Sequence, residues 1–163
     1  MNAIDLLEQQ HREVEDLFEE FEEAGENARK TKERLCQKLA DALAVHAEIE
    51  EKIFYPECKQ EDTEDLLREA VEEHLGVKRL LVDIMESEPD DAQLEARVKV
   101  LQEQVEHHVE EEEGELFPKV RKALSKEELE EMGTRMEQLA EELMGQGSPR
   151  EQIPGQTDTA PEI

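Results

Sequence analysis

Tryptophan is absent from these 163 residues, and tyrosine occurs once within an aromatic content of 3 %. The core must therefore be built mostly from Leu, Val, Ile and Ala. Glycine (7) and proline (6) are scarce and cluster at the ends of periodic segments, which favours an all-α chain. There are two cysteines, Cys36 and Cys58, far apart and without a CxxC pair. They read as reduced thiols of a cytoplasmic protein. The start, Met1-Asn2-Ala3-Ile4-Asp5, has no basic stretch followed by an apolar one, so no signal peptide is expected. No run approaches about 18 consecutive apolar residues, so no membrane span is expected either. Positive charge is the largest deficit: 19 Lys and Arg stand against 46 Asp and Glu, a net charge of −27. Such a surface repels nucleic acid and anionic membrane, and neither is expected as a partner. Any single Glu in it reads first as part of a solvated helix face.

The length suits one domain with one core. The periodicity predicts a first helix from about Asn2 to Ala24, stopped by Gly25. A second starts near Thr31 as N-cap and ends at Pro56. A third, capped by Asp62 or Thr63, runs to about Ser87. A fourth, capped by Asp90 or Asp91, ends before Pro118. Ser125 with Glu128 is a capping box for a short fifth helix reaching about Met144. The expected fold is an up-down-up-down antiparallel four-helix bundle over residues 1–145, with the fifth helix outside it. Residues 146–163 lack periodicity and read as a disordered, dispensable tail.

Against that background, four histidines stand in the middle of apolar stripes. His11 falls in Ile4, Leu7, His11, Val14, Phe18. His46 falls in Leu39, Ala42, His46, Ile49, and His74 in Ala70, His74, Val77, Leu81. His108 ends the run Leu94, Val98, Leu101, Val105. Steps of three and four residues define one helix face, so each helix carries one imidazole into a shared core. A buried imidazole without a partner is costly. Four of them converging need a common partner, and a metal centre supplies one. The alternative is a set of core histidines satisfied by buried Glu residues without metal.

The pattern also repeats. A shift of 62 residues lays His46, Glu50, Glu51 and Pro56 on His108, Glu112, Glu113 and Pro118, and a shift of 63 lays His11 on His74. The chain reads as two helical hairpins of one design, with two half-sites meeting at a pseudo-twofold axis. His46 and Glu50, like His108 and Glu112, lie one helical turn apart on one face. Four His with two Glu suit iron, manganese or zinc. If both Glu residues bridge, each metal gains two imidazoles and two carboxylate oxygens.

These residues resemble the hemerythrin-like family, the HHE cation-binding domains, over residues 1–144. The likeness is carried by His11, by His46-x3-Glu50-Glu51-x4-Pro56, by Glu73-His74 and by His108-x3-Glu112-Glu113-x2-Leu116-Phe117-Pro118. It implies two non-haem iron ions, bridged by an oxo or hydroxo group, inside a four-helix bundle. By the same likeness His11, His46, Glu50, His74, His108 and Glu112 are the ligands, with Glu50 and Glu112 bridging. Two positions depart from the oxygen-carrying members. Lys78 stands where they have a fifth histidine, and Glu113 where they bridge with an Asp. That favours binding or sensing of oxygen, nitric oxide, peroxide or iron over reversible oxygen carriage. A di-iron enzyme acting on peroxide or ferrous iron, and an interaction protein with a structural metal, are the other readings.

His107 lies about 100° around the helix from His108 and reads as a flanking residue. Tyr55 is nine residues past His46, which in an unbroken α-helix is the opposite face. Phe18, Phe21, Phe54 and Phe117 read as core, and Cys58 as structurally indifferent.

Overall fold

The first helix begins where a side chain can close it. The Asn2 side-chain oxygen accepts a hydrogen bond from the Asp5 N–H at 2.9 Å, satisfying one of the N–H groups that a helix start leaves free. Helix α1 then runs Ala3–Glu23, α2 Arg29–Ile49, α3 Glu64–Glu86, α4 Ala92–Glu111 and α5 Lys126–Gly145. Asp91 caps α4 by accepting from the Gln93 N–H. Ser125 and Glu128 form the reciprocal capping box at α5. The computed structural model describes residues 1–25 and 28–163. Among the described residues there is no strand, and no helix is long and apolar enough to cross a membrane.

Helices α2 and α4 do not stop at their prolines. Each passes through a five-residue π-helical turn, Glu50–Phe54 and Glu112–Leu116, and resumes at Tyr55–Glu57 and Phe117–Ala123. Pro56 and Pro118 account for the turns. Neither can donate to the carbonyl four residues back. The ladder shifts to wider bonds, Tyr55 N–H to Glu50 O and Phe117 N–H to Glu112 O. Each wide turn adds one residue to the winding, a feature that recurs at functional sites.

The helices pack as a helical bundle, α1 on α2 and α3 on α4. The buried apolar residues form two clusters. One holds Leu7, Ile49, Phe54, Val71 and Phe117, the other Val14, Phe18, Leu43, Val77 and Val105. His11 lies in sequence between Leu7 and Val14, and His74 between Val71 and Val77, so the polar layer separates the two clusters. Helix α5 packs along α1 and buries Met132 and Met136 in the first cluster. Its contact with the N-terminus is close: a Cβ at Gly133 would collide with the Met1 carbonyl oxygen. As the sequence suggests, α5 is the shortest of the five: it spans 20 residues, against 21 and 23 for α1 and α3, and α2 and α4 run on through their π turns to Glu57 and Ala123.

The tail also corrects the sequence reading. Pro149–Gln156 forms a 3₁₀ helix that lies against α2 and α3. Ile153, 1 % exposed, joins the second cluster. Arg150 donates to Asp41 from its backbone N–H at 2.9 Å and from its guanidinium at 2.8 Å. Arg79 donates to the Thr157 and Asp158 carbonyls at 3.0 Å each. One buried isoleucine and two anchoring arginines order a segment with no helical periodicity of its own. A chain ending at Gly145 is therefore expected to unfold at lower denaturant concentration, losing about 2–5 kcal/mol as for deletion of a buried Ile side chain. Equilibrium urea unfolding checks this; an unchanged midpoint would contradict it.

Candidate metal centre

Each of the four stripe histidines has two ring nitrogens to satisfy inside the bundle, and the structure treats them differently. The outward nitrogens are all taken. His46 Nδ1–H donates to Gln10 Oε1 at 2.7 Å, His74 Nδ1–H to Glu51 Oε2 at 2.6 Å, and His108 Nδ1–H to Glu73 Oε1 at 2.9 Å. His11 Nδ1 faces Glu113 Oε1 at 3.4 Å. These bonds fix tautomer and ring orientation, leaving the Nε2 lone pairs aimed inward.

The acceptors obey the chain's own repeat. Glu51 and Glu113, each following a ligand-register Glu, hold His74 and His11. Gln10 and Glu73, each preceding a stripe histidine, hold His46 and His108. Two cations steady the acidic acceptors: Lys78 Nζ donates to both Glu51 oxygens at 3.0 and 3.1 Å, and Arg12 to both Glu113 oxygens at 2.8 and 2.9 Å. Sequence reasoning missed this outer ring. The signal was present in the residues flanking each repeated motif, but in so acidic a chain a single Glu carries no information by itself.

The inward atoms converge with the two buried carboxylates. One group is His11, His46 and Glu112, the other Glu50, His74 and His108, and in each the donor atoms lie within 4.8 Å of one another. The pairing crosses over. Glu50 Oε1 is 3.0 Å from His46 Nε2, on its own helix, and 3.1 Å from His74 Nε2. Glu112 Oε1 is 3.1 Å from His108 Nε2 and 3.3 Å from His11 Nε2. Each carboxylate thus reaches into both groups, the placement a bridging ligand needs. All six sequence-predicted residues are brought together here.

The donor set fits a metal. His11 Nε2, His46 Nε2, Glu50 Oε2 and Glu112 Oε1 are buried without a hydrogen-bond partner, although their neighbours are close. His74 Nε2 and His108 Nε2 face each other at 3.2 Å with both outer nitrogens already donating. Two lone pairs that close need a cation or a proton between them. Ligands about 2.1 Å from a common ion stand about 3–4 Å apart, which matches these spacings. Without metal, protons take that role. Burial pulls the His108 pKa down, but Glu112, Glu50 and Glu73 outweigh it and raise it well above the usual imidazole range. His11 and His74 are raised by the same balance. Burial pushes Glu50 up, and its three histidine neighbours bring it well below the usual carboxylate range.

A seventh group enters the centre. Tyr55 is fully buried, and its hydroxyl donates to Glu112 Oε2 at 2.8 Å, 3.3 and 3.4 Å from His74 and His108 Nε2. Counting 3.6 residues per turn puts Tyr55 on the far face, but the extra residue of the π turn rotates it inward. Its repeat partner is Phe117, which stacks on His11 as Tyr55 stacks on His74. The phenol therefore makes the two halves chemically different. Burial and the Glu112 and Glu50 carboxylates hold that hydroxyl above the usual phenol range, so it keeps its proton.

His107 is separate. Its side chain is 61 % exposed, 3.0 Å from Glu111 and 3.5 Å from Glu73, in a surface group with Glu69. Cys58 is buried, with its thiol pushed up by burial and nearby carboxylates; Cys36 is pushed up to about 11, chiefly by burial. Neither is poised as a thiolate.

Residues 2–120 match the profile of the Hemerythrin HHE cation binding domain. A DNA nickase from Nostoc sp. is 34 % identical over 134 residues, 82 % of this chain. The chain spans only 38 % of that relative's length. Among solved structures, a hemerythrin HHE cation binding domain-containing protein from Mycobacterium kansasii superposes with a TM-score of 0.75 at 25 % identity, covering 90 % of this chain and 91 % of that one.

Three substitutions separate inner, outer and surface roles. His108→Ala is expected to abolish metal retention, His107→Ala to leave it unchanged, and Glu51→Ala to weaken it about 10–100-fold. Metal content after dialysis against graded chelator checks all three; loss in His107→Ala with retention in His108→Ala would contradict the assignment. Chelation is also expected to lower the melting temperature. A ligand that binds only the folded chain at 100 times its Kd adds about 2.7 kcal/mol. Equal melting with and without chelator would contradict this.

Proposed function

The chain belongs to the hemerythrin HHE cation-binding domain family, and on that premise we propose that it is a non-haem di-iron protein binding a small exogenous ligand: oxygen, nitric oxide or peroxide. In this reading His11, His46 and Glu112 hold one iron, Glu50, His74 and His108 the other, and the two carboxylates bridge them within an up-down-up-down arrangement of α1 to α4. Bound iron would supply one-electron redox chemistry and a coordination position for the ligand.

One observation carries the reading. Against the four histidine rings lies a cavity of about 30 Å³, walled mostly by aliphatic side chains such as Val14, Leu43, Leu81 and Val109, with Gln10 and Lys78 also on its lining. Its size suits about two or three water-sized molecules, at about 10–15 Å³ each. A metal that only stapled the helices together would need no such chamber. The aliphatic wall excludes bulk water. The charge of −27 repels anions, so the favoured ligand is neutral. The Nδ1–H bonds hold the rings in place, so binding requires little rearrangement.

A second reading, an enzyme acting on peroxide, is favoured by Tyr55. Cleaving a peroxide consumes protons, and the Tyr55 hydroxyl holds one 2.8 Å from Glu112 Oε2. The same net charge argues against nucleic acid or anionic membrane as partners. The unpaired cysteines suit a reducing compartment, the cytoplasm.

Two carboxylates favour the harder, oxidised metal. The Lys78 ammonium, at the position of a fifth histidine, is turned to Glu51. The reduced, iron-loaded protein is therefore expected to oxidise in air and stay oxidised until an electron donor is supplied, as followed by optical spectra. A spectrum that vanishes under vacuum and returns with oxygen, cycle after cycle, would contradict this.

A further inference from the structure

The chamber beside the four histidines is built almost wholly from α1 to α4. Ile153 alone among its lining residues comes from elsewhere, the 3₁₀ segment Pro149–Gln156. On the outer side of the same segment lies a surface groove of about 270 Å³, lined by Pro149, Gln152, Glu48 and Lys52. Ala44 of α2 lines both the groove and the chamber. A wide, solvent-open space and a small apolar one thus lie side by side. Ala44 is the residue they share; Ile153 lines the chamber, while Pro149, Gln152 and Gln156 of the same segment line the groove.

We infer that Ile153 is the gate residue of the ligand chamber, setting how fast and how large a neutral molecule passes from the groove to the histidine layer. This rests on the reading that the chamber receives the ligand. Position supports the role: Ile153 is 1 % exposed, yet its segment joins the bundle from outside and is tied to it at either end. Arg150 pairs with Asp41 before it, and Arg79 holds the Thr157 and Asp158 carbonyls after it. A side chain suspended between two anchors can swing aside without unpacking α1 to α4. An isoleucine is also stiff at its first side-chain torsion, which makes it a defined obstacle. Shortening it to Val and then to Ala widens the passage stepwise.

Two measurements on the full chain keep the gate and the ligand reading apart. The first follows nitric oxide binding to the ferrous, iron-loaded protein by stopped-flow absorbance. The second follows exchange of xenon into the metal-free protein by xenon NMR, since dry apolar cavities take up this gas. Both rates are expected to rise in the order Ile153, Ile153→Val, Ile153→Ala, by about tenfold for Ala, within the one to three decades that association rates span among close variants. Met136→Ala, in the other core cluster, loosens packing away from the chamber and is expected to change neither rate. If Ile153→Ala does not fold, the Val variant carries the comparison. Unchanged xenon exchange in the Ile153 variants, or equal acceleration by Met136→Ala, would overturn the gate. Accelerated xenon exchange in the metal-free Ile153 variants, with no nitric oxide binding once the chain is loaded with iron, would leave the gate standing and overturn the ligand reading.

Discussion

Four imidazoles in one buried layer impose the constraint on which the rest of the structure depends. Each brings two nitrogens that burial will not leave unpaired without cost. The chain meets the outer four with Gln10, Glu51, Glu73 and Glu113, and turns the inner four toward Glu50 and Glu112. Because the outer bonds set ring orientation, the inner geometry is fixed before any ion arrives. The two apolar clusters then act as floor and ceiling, holding the polar layer at one depth. Orphaned atoms at the centre are the consequence: four polar groups that no side chain satisfies.

The π turns show how one local backbone rule reshapes a site. Pro56 and Pro118 withhold a donor, the helix widens, and the residue after the turn rotates onto the inner face. In one hairpin that residue is Tyr55 and in the other Phe117. A near-symmetric scaffold thereby becomes an asymmetric centre, with a proton-bearing hydroxyl against one half and a bare ring against the other. The same asymmetry runs through the outer ring. Gln10 is neutral where Glu73 is charged, and the supporting cations, Arg12 and Lys78, do not occupy equivalent positions.

Much of this was legible in the sequence because it is periodic. Stripes of period 3.6 placed His11, His46, His74 and His108 inward, and the 62-residue repeat singled out Glu50 and Glu112 from 46 acidic residues. What escaped was whatever breaks periodicity or depends on tertiary contact. Tyr55 was misplaced because the count assumed an unbroken α-helix. Glu51, Glu73 and Gln10 were hidden by chain-wide acidity and by having no meaning until the helices packed. The C-terminal segment reads as disordered because its order comes from Ile153 filling a space made by other helices and from Arg79 and Arg150 reaching to it. None of these is a local propensity.

The central claim is that the histidine layer is a two-ion site, with Glu50 and Glu112 shared between its halves. Anaerobic titration of the metal-free chain with ferrous iron, read by isothermal calorimetry, tests it most directly. The account predicts saturation at two equivalents, and for Glu50→Ala a fall in affinity at both, because one shared carboxylate serves both halves. Saturation at one equivalent, or a Glu50→Ala chain that loses one ion and binds the other unchanged, would contradict it.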